Sequence, residues 1–277
     1  MDLNICIVHY NSEDTIPCLE SIAAQTQKAQ VLLVDNCSTD DSMDAVRKYA
    51  DSGELQIRIF DAPVNGGFAA GNNIALRWAH NHTPEAWNLL LNNDTVLPED
   101  FIEKMTGAAE KIRKAGGTPF ALSATEYNYF SRRKKRHNGK QYLSVPTGLS
   151  FNSPGIFRTP YLCGACILIP PQAPLLDEGF FLYYEDADYS KQLENDGYRL
   201  LTTDCTRYYH KVGGSTSRNE NIVTIQMKSM WRYYRKHYPQ WAGMVKWLRW
   251  GEYIVLGRSG VAHIVNQTYK QQIILKK

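Results

Sequence analysis

Long apolar runs are missing from this sequence. No stretch approaches the roughly 18–20 uninterrupted apolar residues of a membrane-spanning helix. The nearest candidate, 241–265, is broken by Lys246, Arg249, Glu252 and Arg258. The opening residues, MDLNICIVHY, have neither the basic flank nor the long apolar core of a signal peptide, so a cytoplasmic location is expected. Cysteine is sparse. Cys163 and Cys166 form a C-x-x-C, but no second pair stands at zinc-site spacing. Thiols in apolar surroundings, as in Ile5-Cys6-Ile7, are expected to be buried and reduced. Low-complexity tracts are absent too. What remains is a chain of 277 residues, 43% apolar, large enough for one large or two small cores.

The formal charge of +3 hides a split. From residue 222 onward there are ten Lys/Arg and one acid, Glu252, whereas residues 1–221 carry 21 basic and 27 acidic side chains. A mildly acidic body with a strongly basic tail points to an anionic partner for the tail. No recognised nucleic-acid-binding motif accompanies it, and nucleic acid is not expected as a partner.

The first half alternates short apolar runs with helical patterns. Residues 5–8 and 31–34 are continuously apolar, as in strands buried on both faces of a parallel sheet. Residues 55–60 and 87–91 read as further strands. Ile16, Leu19 and Ile22 fall at helical spacing between the first two, Phe68, Ala75, Leu76 and Ala79 form a second helical pattern, and Pro98 is expected to open a third helix. This repetition predicts an α/β, doubly wound, mostly parallel sheet, with ligands bound beyond the carboxyl ends of the strands. Residues 127–160, with Arg132-Arg133-Lys134-Lys135-Arg136 and little periodicity, read as a mobile excursion, either a lid, an acceptor loop or a solvated basic loop. A strand at 167–169, a helix at 185–193 and a strand at 198–201 follow. A division into a body, 1–221, and a helical region, 222–277, is expected.

Polar clusters fall where such a sheet would place a ligand. Asp35, followed by Ser38, Thr39 and Asp40, offers acceptors for a pyrimidine base and ribose, unless Ser38 or Asp40 simply caps the next helix. Asn65-Gly66-Gly67-Phe68-Ala69-Ala70-Gly71-Asn72-Asn73 enters a helix through small residues, suiting either backbone approach to a ligand or close packing. It matches neither the dinucleotide nor the phosphate-loop pattern, and no lysine follows. Asn92-Asn93-Asp94 puts a carboxylate where a hard divalent cation would neutralise a departing diphosphate. Glu185-Asp186-Ala187-Asp188 places three acids after an aromatic run, more than helix capping requires, with a general base among the possible roles. His210 ends a strand pattern before a Gly-Gly loop, as a metal ligand or phosphate contact would.

Taken in order, Val8-His9-Tyr10-Asn11, Val34-Asp35-Asn36-Cys37-Ser38-Thr39-Asp40, the Asn65–Asn72 segment, Leu91-Asn92-Asn93-Asp94, Cys163-Gly164-Ala165, Glu185-Asp186-Ala187-Asp188 and His210 resemble glycosyltransferase family 2 over about residues 3–216. The subgroup most similar includes bacterial rhamnosyltransferases. The resemblance implies a GT-A fold and an inverting transfer from a nucleoside-diphosphate sugar, dTDP-rhamnose or a UDP-hexose, to a carbohydrate or lipid-linked acceptor in surface polysaccharide assembly. It implies Asp186 as catalytic base and Asp94 with His210 as ligands of a Mg²⁺ or Mn²⁺ cofactor. Asp35 would read the base; Tyr10, Asn11, Ser38, Asn65, Gly71, Asn72, Asn93 and Glu185 would line the substrate site; Gly164 and Ala165 would let the two sugars approach. Asn92 replaces the first acid of the family's D-x-D motif, which leaves the metal to lean on the diphosphate and His210. A binding module without catalysis and a nucleotidyltransferase are the alternatives. Intact Glu185-Asp186 argues against the first, and Tyr10-Asn11-Ser12-Glu13, in place of a Gly-rich basic loop, against the second. The tail's Trp231, Tyr233, Tyr234, Trp241, Trp247, Trp250 and Tyr253 suit either the interface of an anionic membrane at its cytoplasmic face or internal packing and dimer contacts.

Overall fold

The computed structural model describes residues 1–211 and 220–255. The first half is β1 (Leu3–His9), α1 (Thr15–Ala23), β2 (Gln30–Asp35), α2 (Ser42–Asp51), β3 (Ile57–Asp61), α3 (Gly67–His82) and β4 (Trp87–Leu91). Then come β5 (Thr95–Val96), α4 (Phe101–Lys114), β6 (Phe120–Asn128), β7 (Lys135–His137), β8 (Lys140–Ser144), β9 (Ser150–Phe151), β10 (Arg158–Leu162) and β11 (Cys166–Ile169). The chain continues through α5 (Glu185–Asn195), β12 (Arg199–His210), α6 (Glu220–His237) and α7 (Pro239–Val255). Among the described residues, the main sheet runs in the order β3-β2-β1-β4-β11-β6-β12-β5, with β7 added beside β6.

The α/β expectation holds. β3, β2, β1 and β4 are mutually parallel, β11 enters antiparallel between β4 and β6, and β6 and β12 are parallel. Both faces are covered, which is why the first two strands are apolar without alternation. Ile5, Ile7, Val31 and Leu33 join a core with Leu19 and Ile22 of α1 and Phe101 and Met105 of α4. Their neighbours Cys6, Leu32 and Val34 face the other way, with Ala75, Leu76 and Ala79 of α3 and Tyr189 and Leu193 of α5. Each fully buried large side chain contributes roughly 1.5–3 kcal/mol. All six cysteines are free, as expected.

Two local expectations are corrected. Pro98 does not open a helix: α4 begins at Phe101, whose N–H donates to the Pro98 carbonyl at 3.0 Å in the preceding turn. Residues 127–160 are not without regular structure. They hold β7, β8 and β9, and β10-β8-β9 form a second, antiparallel sheet. Strands of two to five residues are too short to show periodicity in a sequence.

The boundary expected between 221 and 222 falls inside α6. This helix shares a third core, in which Tyr233, Tyr234 and Met230 of α6 meet Leu143 and Tyr161 of the small sheet, Phe180, Ala187 of α5 and Val245 of α7. Tyr233 and Tyr234 are therefore packed inside, while Trp247 of α7 is exposed. The side chains of Trp250 and Tyr253, and all of Arg258, Lys270, Lys276 and Lys277, lie outside the described residues. Polar ties reinforce the contact. Asp188 of α5, 1% exposed, accepts from Lys236 Nζ at 2.9 Å and pairs with His237 Nε2 at 2.7 Å. Without Asp188, Lys236 keeps Asp177 at 2.8 Å but buried His237 loses its partner, and breaking a buried pair costs about 3–5 kcal/mol. Asp188→Ala should therefore lower unfolding free energy by about 3 kcal/mol in urea titration. A change under about 0.5 kcal/mol would show that α6 is not held through this residue.

Candidate active site

The carboxyl ends of β1, β2 and β4 place the first polar clusters along one rim. After β1, His9 is fully buried, with Nδ1 2.7 Å from Thr15 Oγ1 and Nε2 2.9 Å from Ser42 Oγ. Burial lowers its pKa, so it ties two helix starts to the strand as a neutral ring. Asn11, at φ 46°, donates from Nδ2 to Thr39 Oγ1 at 3.0 Å and accepts from the Thr39 N–H at 2.8 Å. Its own N–H donates to Ser38 Oγ at 3.2 Å, and Asp35 Oδ1 accepts from the Ser38 N–H at 3.0 Å. Asp40 accepts from the Ser42 N–H at 3.1 Å, so Asp40 rather than Ser38 serves the start of α2. Tyr10, Asn11, Asp35 and Ser38 thus share one rim, with Tyr10 38% exposed above it.

Asn36 joins this rim to the third cluster. It is 3% exposed, donates to Asn65 Oδ1 at 2.9 Å and to the Gly67 carbonyl at 3.2 Å, and accepts from the Gly66 N–H at 3.2 Å. Gly67, at φ 79°, lies so close to the Phe181 carbonyl that a Cβ would stand 2.0 Å from its oxygen. The Phe68 N–H donates to that same carbonyl at 2.9 Å. Asn73 completes the anchor, donating to the Leu176 carbonyl and Glu178 Oε1, each at 2.9 Å, and accepting from the Leu176 N–H at 2.9 Å. The glycine-rich segment therefore seats the turn that carries the acidic cluster. Of Gly71 and Asn72, expected at the substrate, Gly71 packs against β1 and Asn72 is buried in α3 with its Oδ1 lacking a hydrogen-bond partner. A Cβ on Gly71 would stand 2.7 Å from Val8 Cγ1, and Asn72 is 2% exposed, donating within α3 to the Phe68 carbonyl.

A second group forms where β4, β6 and β12 end. Asn93 donates to Thr15 Oγ1 at 2.9 Å, which fixes the triplet against α1. Asp94 Oδ1 stands 3.1 Å from His210 Nε2, and His210 Nδ1 stands 3.3 Å from Glu126 Oε1. These are ion-pair contacts without hydrogen-bond alignment, and Asp94 Oδ1 and His210 Nδ1 have no hydrogen-bond partner though both are buried. Burial opposes charge on His210, but Asp94 and Glu126 outweigh it and raise its pKa to about 9. Glu126, 1% exposed, also faces Arg136 Nε at 2.7 Å and His137 Nε2 at 3.1 Å, and accepts from Tyr208 OH at 3.0 Å and Cys163 Sγ at 3.5 Å. Burial alone would raise its pKa; His137 and His210 overcome that and hold it well below the usual carboxylate range. Sequence reasoning missed Glu126 and His137, which lie in no spaced motif, and gave no role to Asn36 and Asn73 within the motifs it singled out.

The acidic cluster behaves oppositely. Two consecutive residues, Tyr183 at φ 66° and Tyr184 at φ 64°, turn the chain left-handed immediately before α5. Such backbone costs a non-glycine residue roughly 1–2 kcal/mol each. The turn brings Asp186 to the 163–165 segment, where its Oδ2 accepts from the Gly164 N–H at 3.2 Å and its Oδ1 from the Ala187 N–H at 2.8 Å. Burial raises the pKa of both Asp186 and Glu185, and Glu185 Oε2 is buried with no hydrogen-bond partner. A carboxylate that prefers its proton, with few donors to hold it as an anion, suits general-base work. Gly164 allows the contact: a Cβ there would lie 3.1 Å from Asp186 Cβ. Ala165, 3% exposed, accepts from the Asn92 N–H at 3.0 Å.

Residues 4–162 match the family model "Glycosyl transferase family 2". The chain belongs to this family. It is 25% identical over 205 residues to the low-salt glycan biosynthesis hexosyltransferase Agl10 of Haloferax volcanii, covering 68% of this chain and 60% of that relative. It is 36% identical over 83 residues to the poly(ribitol-phosphate) beta-glucosyltransferase of Bacillus spizizenii, covering 28% of this chain and 13% of that protein. The chain thus spans at most about 60% of the length of these curated relatives. Among solved structures, S. aureus TarS 1-349 superposes with a TM-score of 0.54 at 19% identity, covering 98% of this chain and 92% of that one. GalNAc-T7 with UDP, GalNAc and Mn²⁺ gives 0.62 at 12% identity, covering 85% and 51%. Both likenesses establish the GT-A-like fold.

Adding a methyl at Gly164 should push Asp186 by a few tenths of an ångström. Since a displacement near 1 Å can cost ~10²-fold in rate, Gly164→Ala should lower kcat about tenfold with an unchanged unfolding midpoint. An unaltered kcat would show that this contact does not set the position of Asp186.

Proposed function

We propose that the protein is an inverting glycosyltransferase that transfers a sugar from a nucleoside-diphosphate donor to an acceptor hydroxyl in glycan or polymer biosynthesis. The observation that carries this reading is Asp186, a carboxylate with a raised pKa held against Gly164 on the family's substrate loop. In the proposed step Asp186 removes the acceptor proton while that oxygen attacks the anomeric carbon, and the diphosphate leaves from the opposite side. One displacement inverts the centre.

Asp94 and His210 would hold a divalent cation, Mn²⁺ or Mg²⁺. The donor set fits: Asp94 Oδ1, buried with no hydrogen-bond partner, and His210 Nε2 meet at 3.1 Å. Such an ion supplies charge neutralisation at the leaving diphosphate. Asp35, Ser38 and Asn11 line the rim for the pyrimidine and ribose. A UDP-hexose is our preferred donor, ahead of dTDP-rhamnose, because solved TarS complexes hold UDP and UDP-GlcNAc. Relatives named for teichoic-acid and glycan synthesis support a polymer or lipid-linked acceptor. Action at the cytoplasmic face of a membrane, through the basic C-terminal region, belongs to the same proposal.

General-base assistance is worth ~10²–10⁴-fold, so Asp186→Asn should reduce transfer by that factor while UDP affinity stays within twofold. Transfer near the wild-type rate would remove Asp186 from the role. The base works deprotonated, so a raised pKa puts the acid limb of the kcat–pH profile above the ordinary aspartate value of about 4. Activity should fall as pH drops through that limb, and Asp186→Asn should abolish the limb. Asp94→Ala should remove the Mn²⁺ dependence of UDP binding in calorimetry; retention of that dependence would place the cation elsewhere.

A further inference from the structure

Glu126 is buried and faces five donors from three parts of the chain. Its two oxygens are used differently. Oε2 takes the hydroxyl of Tyr208 and the thiol of Cys163 and faces His137 Nε2 at 3.1 Å. His137 Nδ1 accepts from the Gly139 N–H at 3.1 Å, so the proton of a neutral His137 ring sits on Nε2, toward Glu126. Oε1 is left to Arg136 Nε at 2.7 Å and His210 Nδ1 at 3.3 Å. A carboxylate is an acceptor only, so the nitrogen of His210 that faces it must carry a proton. Nε2 faces a second acceptor, Asp94 Oδ1, at 3.1 Å, so both nitrogens carry protons until a cation takes the Nε2 lone pair in place of its proton, while the Nδ1 proton stays toward Glu126.

We propose that Glu126 is a positioning residue that fixes His210 as the Nδ1–H tautomer and thereby aims its Nε2 lone pair at the cation side of Asp94. The inference rests on the reading that Asp94 and His210 hold the cation. Ring orientation by a carboxylate behind a metal-binding histidine is a general device, and its loss lowers metal affinity ~10–100-fold.

The same side chains admit a rival reading. Glu126, His137 and Cys163 place one ligand atom each within 4.8 Å of one another, as a metal site of their own would. Hydrogen bonding argues against it. With Nδ1 engaged by the Gly139 N–H, metal at His137 Nε2 would require a ring stripped of both protons. Cys163 is also held as a thiol, by burial first and by Glu126 and Asp186 second. The cluster is an acceptor hub, with His137, Tyr208 and Arg136 holding the carboxylate in the orientation His210 needs.

The test uses the full chain with ¹⁵N-labelled histidine, UDP and Mg²⁺. Nitrogen–proton correlation should show His210 protonated at Nδ1 and unprotonated at Nε2; the opposite tautomer overturns the proposal in the wild-type protein alone. Electron paramagnetic titration of Mn²⁺ in the presence of UDP should then show ~10–100-fold weaker binding in Glu126→Gln, with metal-free UDP affinity unchanged. If His210→Ala weakens Mn²⁺ binding but Glu126→Gln binds at wild-type strength, this inference fails and the metal reading stands. If His210→Ala leaves Mn²⁺ binding intact, the metal reading itself fails, and this inference with it.

Discussion

Cys163, Gly164 and Ala165 hold three parts of the site in register. Cys163 Sγ donates to Glu126 on β6, the Gly164 N–H donates to Asp186 at the start of α5, and the Ala165 carbonyl accepts from Asn92 at the end of β4. The next residue, Cys166, begins β11, which lies between β4 and β6 in the main sheet. A rigid strand thus fixes a three-residue loop, and the loop fixes the spacing between the base, the Asp94 triplet and the buried hub. Sites held on regular elements keep their geometry better than sites on free loops. A side chain at Gly164 would make Asp186 give way by a few tenths of an ångström.

The site treats buried carboxylates in two opposite ways, and burial is not what separates them. Glu126, Glu185 and Asp186 all lose solvent, which by itself favours the protonated form. Glu126 is surrounded by donors, and the anion wins. Glu185 Oε2 has no partner and Asp186 accepts only from backbone N–H groups, so the proton is retained to higher pH. The division matches the proposed chemistry. A group that orients a histidine must remain an anion throughout, whereas a base must gain and lose a proton.

Much of the fold was legible because its signals are local. Continuous apolar runs in β1 and β2 follow from helices on both faces, and the Asp186 cluster stood out by density alone. Glu126 was not legible. It is a single acid in the β6 segment FALSATEYN, and its meaning comes from His137 across a short β7 pairing and His210 on β12. Neither contact has a sequence period. The glycine-rich segment was half legible: its small residues do mark close approach, but what approaches Gly67 is the Phe181 carbonyl and what approaches Gly71 is Val8. Sequence shows that a glycine leaves room and not what fills it. The small sheet escaped notice because its strands are shorter than one readable alternation.

The C-terminal helices acquire a second meaning from the strained turn before α5. Two left-handed tyrosines in succession cost roughly 1–2 kcal/mol each and persist only when surrounding contacts over-determine them. Those contacts come largely from α6 and the small sheet. The Leu182 carbonyl accepts from Ser229 Oγ at 2.8 Å, the Tyr184 ring lies 5.6 Å from that of Tyr233, and Tyr184 OH donates to the Gly148 carbonyl at 3.2 Å. One turn further along, Asp188 is tied to Lys236 and His237. α6 therefore braces the turn that presents Glu185 and Asp186, and its Arg232, Lys236 and His237 already have acidic partners within the protein. Basic charge in this region serves the active site first, so a membrane role for the tail has to be sought in residues beyond these pairs.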